Sequence, residues 1–192
     1  MDNNFNIIFF GDSLTVGYGV SKENSWVYKL TEKLHFYSLN KACNGDTTPS
    51  MISRYYTDVL MYSPSKIFIM AGTNDLLLGR SVNSIIENID LMIKDTININ
   101  SKIIIGIPPK IIGQMASKIF APSSFYDYAE SELKILRERL IDLCNRYNIK
   151  FIDFYTLTIN QDERIYLDGL HLNSLGHELM YKEAMNSIDF NI

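Results

Sequence analysis

Three residues of this sequence could together perform acyl transfer by a serine. Ser13 follows an apolar run that ends at Gly11, and it could act as a nucleophile if a base removed its proton. His171 could be that base. Asp168 lies three residues earlier, so its carboxylate could reach the other imidazole nitrogen across one turn. We interpret these three residues as a candidate catalytic triad. The structural alternative is that Asp12 or Ser13 simply caps the following helix.

Two further residues could stabilise the oxyanion that forms when a serine attacks a carbonyl group. Gly45 could donate its backbone N–H, because no side chain blocks a close approach, and Asn74 could donate its side-chain amide. The N–H of Ser13 would complete a set of three donors. Both residues also have a structural interpretation. Asn44-Gly45 is a favourable turn dipeptide, and Asn74 could cap a helix.

Other polar residues near these motifs are interpreted as structural. Asp12 is expected to order its loop by hydrogen bonding, and Asp75 suits the start of a helix. We expect His177 to be solvated or packed in the first turn of the last helix, and Cys43 to be buried rather than nucleophilic. The spacing of the histidines and Asp168 matches no zinc-ligand pattern, so we predict neither a metal nor another cofactor.

The elements that must position these residues are visible in the hydrophobic pattern. Nearly continuous apolar runs predict strands buried on both faces at 6–11, 66–72, 102–108 and 150–154, with a weaker fifth at 36–42. Helical spacing predicts helices near 26–34, 82–93, 124–147 (with a capping box at 124–127) and 174–185. Alternating strands and helices imply an α/β fold, a three-layer α/β/α sandwich around a five-stranded parallel sheet.

Polar or glycine clusters follow the predicted strands at the edge of the sheet where ligands bind in such folds. Four of them resemble the sequence blocks of the GDSL, or SGNH, hydrolases: 11–15 (GDSLT), 44–47 (NGDT), 72–75 (GTND) and 168–171 (DGLH). The resemblance covers nearly the whole chain and implies a flavodoxin-like sheet and a metal-free Ser-His-Asp mechanism. Ser13, Gly45, Asn74 and His171 match the four residues in the family's name, and Asp168 matches the third member of the triad.

Composition narrows the remaining possibilities. A chain of 192 residues with 46% hydrophobic residues is expected to form a single domain over 1–192. The net charge of −4 gives no reason to expect nucleic acid or an anionic membrane as a partner. No transmembrane run or signal peptide is visible, and the two cysteines are expected to be reduced, so we predict a cytoplasmic location. The sequence leaves the oligomeric state open.

One long segment, 108–123, has no regular pattern and is predicted to be irregular. Its apolar residues Ile111, Met115 and Phe120 either cover the core or form a wall for a short- to medium-chain acyl group.

The candidate triad, the oxyanion donors and the resemblance together predict a serine esterase acting on a small-molecule acyl ester. A carbohydrate O-acetylesterase, a lysophospholipase or thioesterase, an acyltransferase, and a non-enzymatic phosphate- or nucleotide-binding module are the alternatives.

Overall fold

A computed structural model describes residues 5–187 of the chain, and at its centre is a five-stranded sheet. All strand pairs are parallel, and the strand order is β2-β1-β3-β4-β5. The strands are β1 (Ile7–Gly11), β2 (Ser38–Asn40), β3 (Lys66–Met70), β4 (Lys102–Ile107) and β5 (Lys150–Asp153). The predicted parallel sheet and its flavodoxin-like order are confirmed.

Helices cover both faces of the sheet. They are α1 (Ser13–Val16), α2 (Trp26–Leu34), α3 (Thr48–Asp58), α4 (Thr73–Leu77), α5 (Val82–Asn98), α6 (Gly113–Ile119), α7 (Ser124–Tyr147), α8 (Phe154–Ile159) and α9 (Ser174–Ser187). Short 3₁₀ turns occupy Lys22–Asn24, Leu60–Tyr62 and Glu163–Ile165.

The core is divided into two layers because successive strand residues point to opposite faces of the sheet. Ile8 and Phe10 of β1 pack with α3, α5 and α7, whereas Ile7 and Phe9 pack with α2, α8 and α9. All residues of β1 and β3 are buried. This explains why these strands appear in the sequence as continuous apolar runs rather than alternating ones.

The strand order determines where a site can form. From β1 the chain crosses to β2 on one side, and β3 then returns to the other side of β1. A crevice opens at such a reversal, beyond the carboxyl ends of the two central strands. Gly11 pairs with Met70 at those ends, so the segments that follow β1 and β3 enter the crevice side by side.

Three local predictions are wrong. Segment 108–123 is not irregular throughout, because α6 forms over Gly113–Ile119, where the Gly113 N–H donates to Glu130 Oε2 of α7 at 2.8 Å. Cys43 is exposed, since the chain has left the short edge strand β2 before reaching it. The first cap of α7 is Ser123 rather than Ser124, and its hydroxyl accepts from the Phe125 N–H at 3.2 Å.

Candidate active site

The nucleophile candidate stands at the junction of β1 and α1. Asp12 is the N-cap of α1, and its Oδ1 accepts a hydrogen bond from the Leu14 N–H at 3.0 Å. The loop-ordering role expected of Asp12 is therefore confirmed, and Ser13 is not the cap. Gly11 is required by close packing, because a Cβ there would lie 2.7 Å from the Met70 carbonyl oxygen. The tight turn leaves the Ser13 hydroxyl at the carboxyl end of β1.

Ser13, His171 and Asp168 form one hydrogen-bonded line. Ser13 Oγ lies 3.0 Å from His171 Nε2, and His171 Nδ1 lies 2.7 Å from Asp168 Oδ2. The side chain of His171 is 19% exposed and that of Asp168 is 8% exposed. The structure thus brings together the three predicted triad residues, although Ser13 and His171 are 158 positions apart in the sequence.

The loop that carries Asp168 and His171 is held by its own hydrogen bonds. Asp168 Oδ1 accepts from the N–H groups of Leu170 and His171 at 2.9 and 2.8 Å, which leaves Oδ2 for the imidazole. Leu167 donates its N–H to the His171 carbonyl oxygen at 2.8 Å. Gly169 has a φ of +88°, a left-handed conformation that favours glycine. The carboxylate therefore both shapes the loop and faces the histidine.

Asn74 lies in the first turn of α4 and points back toward the other two loops. Its Nδ2 donates to the Asp46 carbonyl oxygen at 2.9 Å and makes a longer contact of 3.4 Å with Asp12 Oδ2. The N-cap of α4 is Gly72, so the interpretation of Asn74 as a helix cap is wrong. Gly45 has a φ of +75°, and a Cβ there would meet no atom within 4 Å. The space beside Gly45 is open.

The loop around Gly45 is fixed from two sides. Asp46 binds Arg54 of α3, whose Nε donates to Asp46 Oδ2 at 2.9 Å. The buried carboxylate of Asp75 accepts from the N–H and the hydroxyl of Thr48 at 2.9 and 2.8 Å. Burial raises the pKa of Asp75 although these hydrogen bonds oppose the shift. Asp75 is thus structural, as expected, and it holds the start of α3.

Asp12 has the most strongly shifted pKa among the acidic residues around the site. Its side chain is almost fully buried, and burial raises its pKa to about 7, opposed by the Leu14 N–H and reinforced by the charges of Asp46 and Asp75. A carboxyl group that changes charge near neutral pH therefore lies beside both Ser13 and Asn74.

A small cleft of about 30 Å³ opens at these residues. It is lined by Asp12, Ser13, Leu14, Thr73, Asn74, Leu77, Leu170 and His171. The three apolar residues considered for an acyl wall lie elsewhere: Ile111 is buried in the core, Met115 packs against the second core layer, and Phe120 is 54% exposed after α6. Of the predicted site residues, Ser13, Asn74 and His171 line the cleft, whereas Gly45, Asp168 and the three apolar residues do not.

A known protein family matches most of the chain. The model of the GDSL-like Lipase/Acylhydrolase family matches residues 9–179, which include every block from Gly11 to His171. The chain belongs to this family. The resemblance drawn from the four sequence blocks is confirmed.

Relatives of this GDSL-family chain cover it to different extents. A crystal structure of a lipolytic G-D-S-L family member from Veillonella parvula is 26% identical, covers 93% of this chain and 95% of its own, and superposes with a TM-score of 0.80. The uncharacterized lipoprotein YqeF of Bacillus subtilis is 38% identical over 76 residues, and an arylesterase of Vibrio mimicus is 30% identical over 92 residues. These matches cover 36% and 45% of this chain, but only 31% and 46% of the two relatives.

Within residues 5–187, no helix has the length and hydrophobicity needed to cross a bilayer.

His177 and Cys43, which are close to the motifs in sequence, lie outside the site. His177 is buried in α9, and its Nδ1 accepts from the Trp26 N–H of α2 at 3.4 Å. Burial lowers its pKa to about 4, assisted by the positive charge of Lys29. His177 is therefore a packing residue. Cys43 is exposed and unpaired with Cys144, which is buried among the residues of the first core layer.

Sequence analysis missed one side chain that touches the triad. The ring of Tyr18 lies with its centroid 4.4 Å from that of His171, at an interplanar angle of 42°. The sequence signal was the position of Tyr18 between two glycines, Gly17 and Gly19. In the structure both glycines have positive φ. Glycine adopts such φ values at no steric cost, so the two glycines allow the chain to turn tightly on either side of Tyr18.

Proposed function

We propose that this GDSL-family protein hydrolyses carboxylic esters with a small acyl group, through an acyl-enzyme on Ser13. The observation that carries the proposal is the continuous line of contacts, 3.0 Å from Ser13 Oγ to His171 Nε2 and 2.7 Å from His171 Nδ1 to Asp168 Oδ2. Family membership supports an acyl-transfer reaction, and the name of the Vibrio mimicus relative, an arylesterase, supports an ester as substrate.

In the first half of the reaction Ser13 Oγ attacks the ester carbonyl carbon while His171 Nε2 takes the hydroxyl proton. Asp168 stabilises the imidazolium that forms and keeps Nδ1 as the protonated nitrogen of the neutral ring. The tetrahedral intermediate then loses its alcohol, whose oxygen receives the proton from Nε2. The product of this half is an ester between the acyl group and Ser13.

In the second half a water molecule takes the place of the alcohol. His171 Nε2 removes a proton from the water as it attacks the acyl carbon, and the same proton is returned to Ser13 Oγ when the acyl group leaves as a carboxylic acid. Both halves use the same atoms of His171. One imidazole can therefore carry out the proton transfers of both half-reactions.

Three donors serve the oxyanion in this proposal. Asp12 accepts from the N–H groups of Leu14, Thr15 and Val16, so the Ser13 N–H is the donor in this first turn that Asp12 does not satisfy. We assign the second donor to the N–H of Gly45, where an added Cβ would meet no atom within 4 Å, and the third to the amide of Asn74 in the cleft lining. Donors that are already held in place need no reorganisation when the negative charge develops.

The size of the cleft limits the acyl group. A volume of about 30 Å³ has room for about two water-sized groups, which fits an acetyl group. Leu14, Leu77 and Leu170 supply its apolar lining, and we assign the acyl wall to them rather than to Ile111, Met115 or Phe120. Among p-nitrophenyl esters we expect kcat/KM to be highest for the acetate and to fall through butyrate, octanoate and palmitate.

Covalent labelling tests the central step. The wild type and Ser13→Ala are treated with a fluorophosphonate and analysed by intact mass, because a histidine-activated hydroxyl attacks this electrophile and an ordinary serine does not. We expect one adduct on the wild type and none on Ser13→Ala. Ser131→Ala, which removes an exposed serine of α7, is the matched control and should be labelled as the wild type is. Labelling of Ser13→Ala at the wild-type level would refute the acyl-enzyme on Ser13.

A further inference from the structure

An exposed aromatic ring covers one side of the triad. Tyr18 is 46% exposed, yet its ring lies 4.4 Å from the imidazole of His171, centroid to centroid. The mechanism proposed above gives this ring no task. An aromatic ring that is partly open to solvent and lies beside a reacting group can contact a bound ligand.

The backbone fixes Tyr18 to the nucleophile. The N–H groups of Gly17 and Tyr18 both donate to the Ser13 carbonyl oxygen, each at 3.0 Å. Gly17 and Gly19, with φ values of +88° and +82°, allow the tight turn that makes these two bonds possible. The backbone of Tyr18 therefore has a defined position relative to Ser13, and its ring packs on His171.

Leu167 extends the same surface from the opposite loop. It is 43% exposed, and its N–H donates to the His171 carbonyl oxygen at 2.8 Å. The two loops touch, because a Cβ on Gly19 would lie 2.4 Å from Leu167 Cδ2. We group Tyr18 and Leu167, whose loops meet at Gly19, as the histidine-side rim, and the backbones of both residues are anchored to Ser13 and His171.

The chemistry of acylation determines which part of an ester meets this rim. When the intermediate collapses, the bond between the acyl carbon and the alcohol oxygen breaks, its electron pair stays on that oxygen, and the proton comes from His171 Nε2. The alcohol oxygen must then be within hydrogen-bond reach of Nε2. The alcohol therefore leaves on the side of His171, whereas the carbonyl oxygen faces Asn74.

We propose that the histidine-side rim is the subsite for the leaving alcohol and that it selects a flat aromatic alcohol. This inference rests on the proposed function, since it assigns the other half of the same ester. A planar ring can contact the exposed part of the Tyr18 ring and the Leu167 side chain together, whereas a linear alcohol covers only part of this surface.

Two acetate esters test the proposal. Phenyl acetate is compared with hexafluoroisopropyl acetate, an alkyl ester whose alcohol is similar to phenol in acidity, so that leaving-group strength does not separate them. Both esters form the same acetyl-enzyme, and kcat/KM reports the steps up to release of the alcohol. The measured quantity is the ratio of kcat/KM for the aryl ester to kcat/KM for the alkyl ester.

We expect Tyr18→Ala to lower this ratio by about fivefold, the size of one lost aromatic contact, and Tyr18→Phe to keep it, because the ring and not the hydroxyl makes the contact. Leu167→Ala should lower the ratio by about two- to threefold, and it carries the test if Tyr18→Ala does not fold. Tyr56→Ala removes a tyrosine of α3 that is 70% exposed, and it should leave the ratio unchanged.

Two results would overturn the inference in different ways. An unchanged ratio in both Tyr18→Ala and Leu167→Ala, with kcat/KM for the two esters falling together, would mean that the rim only orients His171; the proposed function would still stand. If the wild type cleaved neither ester faster than Ser13→Ala does, the proposed function itself would be refuted, and the alcohol subsite with it.

Discussion

At the scale of single residues, the amide of Asn74 has two acceptors for the two hydrogens on its Nδ2. The bond to the Asp46 carbonyl oxygen, at 2.9 Å, has ordinary length, whereas the contact with Asp12 Oδ2, at 3.4 Å, is long and weak. An oxyanion in the cleft can replace the long contact at little cost. The short bond keeps the side chain in place while this happens, so Asn74 is suited to donate to a transient negative charge.

Asn74→Ala tests this role. We expect kcat to fall by roughly 10²–10³-fold, the usual cost of one oxyanion donor, with the far-ultraviolet circular dichroism spectrum unchanged. Asn83→Ala, which removes an exposed asparagine of α5, is the matched control and should keep kcat. A kcat for Asn74→Ala within about threefold of wild type, for an ester that still acylates Ser13, would contradict the assignment.

Sequence reasoning identifies the reactive residue types but not all of their contacts. Ser13 could be selected because it directly follows an apolar run, and His171 because Asp168 lies three residues before it. The role of Asn74 could not be decided from sequence, since capping and donating both suit an asparagine there, and only the position of Gly72 as N-cap excludes the first. Tyr18 was missed because its contact with His171 depends on how two distant loops meet.

At the scale of elements, the loop that carries Asp168 and His171 is supported from outside by α6. The Ile112 N–H donates to the Gly169 carbonyl oxygen at 2.8 Å. A Cβ on Gly169 would lie 2.6 Å from the Ile112 carbonyl oxygen and 2.7 Å from the Ala116 nitrogen, and both of these are backbone atoms that cannot rotate away. The segment before and within α6 thus fixes the position of the triad loop, although it lines no part of the cleft.

Gly169→Ala should therefore impair the chemistry rather than only the fold. The added methyl group must displace the loop from α6, and the φ of +88° is itself strained for alanine, so we expect kcat/KM for p-nitrophenyl acetate to fall by at least about tenfold, together with a lower Tm. A variant with reduced Tm and wild-type kcat/KM would show that α6 does not position the triad.

Gly79→Ala provides the matched control. Gly79 also has a positive φ, of +73°, but the atom nearest to its added Cβ is in the ring of Phe125, a half-exposed side chain that can move. The backbone strain is thus similar in the two variants, whereas only Gly169→Ala pushes on the loop of His171. We expect Gly79→Ala to lower the free energy of unfolding by about 1 kcal/mol and to keep kcat/KM.

The same element shows why its secondary structure was hard to predict. Helix α6 has seven residues, begins at a glycine and has no side-chain cap, so its local sequence carries few helix signals. What stabilises it is tertiary: Ala116 is fully buried, and Glu130 of α7 accepts the first N–H. The strands could be predicted because strands buried on both faces appear as continuous apolar runs in the sequence, whereas α6 is stabilised by contacts with its neighbours.

At the scale of the whole molecule, a buried histidine links two helices of the second core layer. His177 of α9 is buried against the start of α2, where its Nδ1 accepts a long hydrogen bond of 3.4 Å from the Trp26 N–H, and burial lowers its pKa to about 4. A charged imidazole at this position would lose its accepting nitrogen and would stand in an apolar environment. The packing of α2 on α9 therefore depends on the neutral form of His177.

The stability of the protein should consequently fall in mild acid. The folded state binds a proton at His177 only near pH 4, whereas the unfolded chain binds one near pH 6.5. Between these values the unfolded state holds more protons, so the free energy of unfolding decreases as the pH is lowered from about 6.5 to about 4. The loss from this residue amounts to as much as about 3 kcal/mol at the lower end.

Urea unfolding of the wild type and His177→Asn at pH 7 and pH 4.5 measures this contribution. The asparagine keeps an acceptor for the Trp26 N–H but has no proton to gain, so the acid-induced loss should be smaller in the variant. Asp12, whose raised pKa of about 7 gives a pH dependence of opposite sign, is present in both proteins and cancels in the difference. The control is His35→Asn, at an exposed cap with a φ of +51° that asparagine tolerates, and it should lose as much stability in acid as the wild type. An equal acid-induced loss in His177→Asn and the wild type would mean that protonation of His177 does not control how α9 packs on α2.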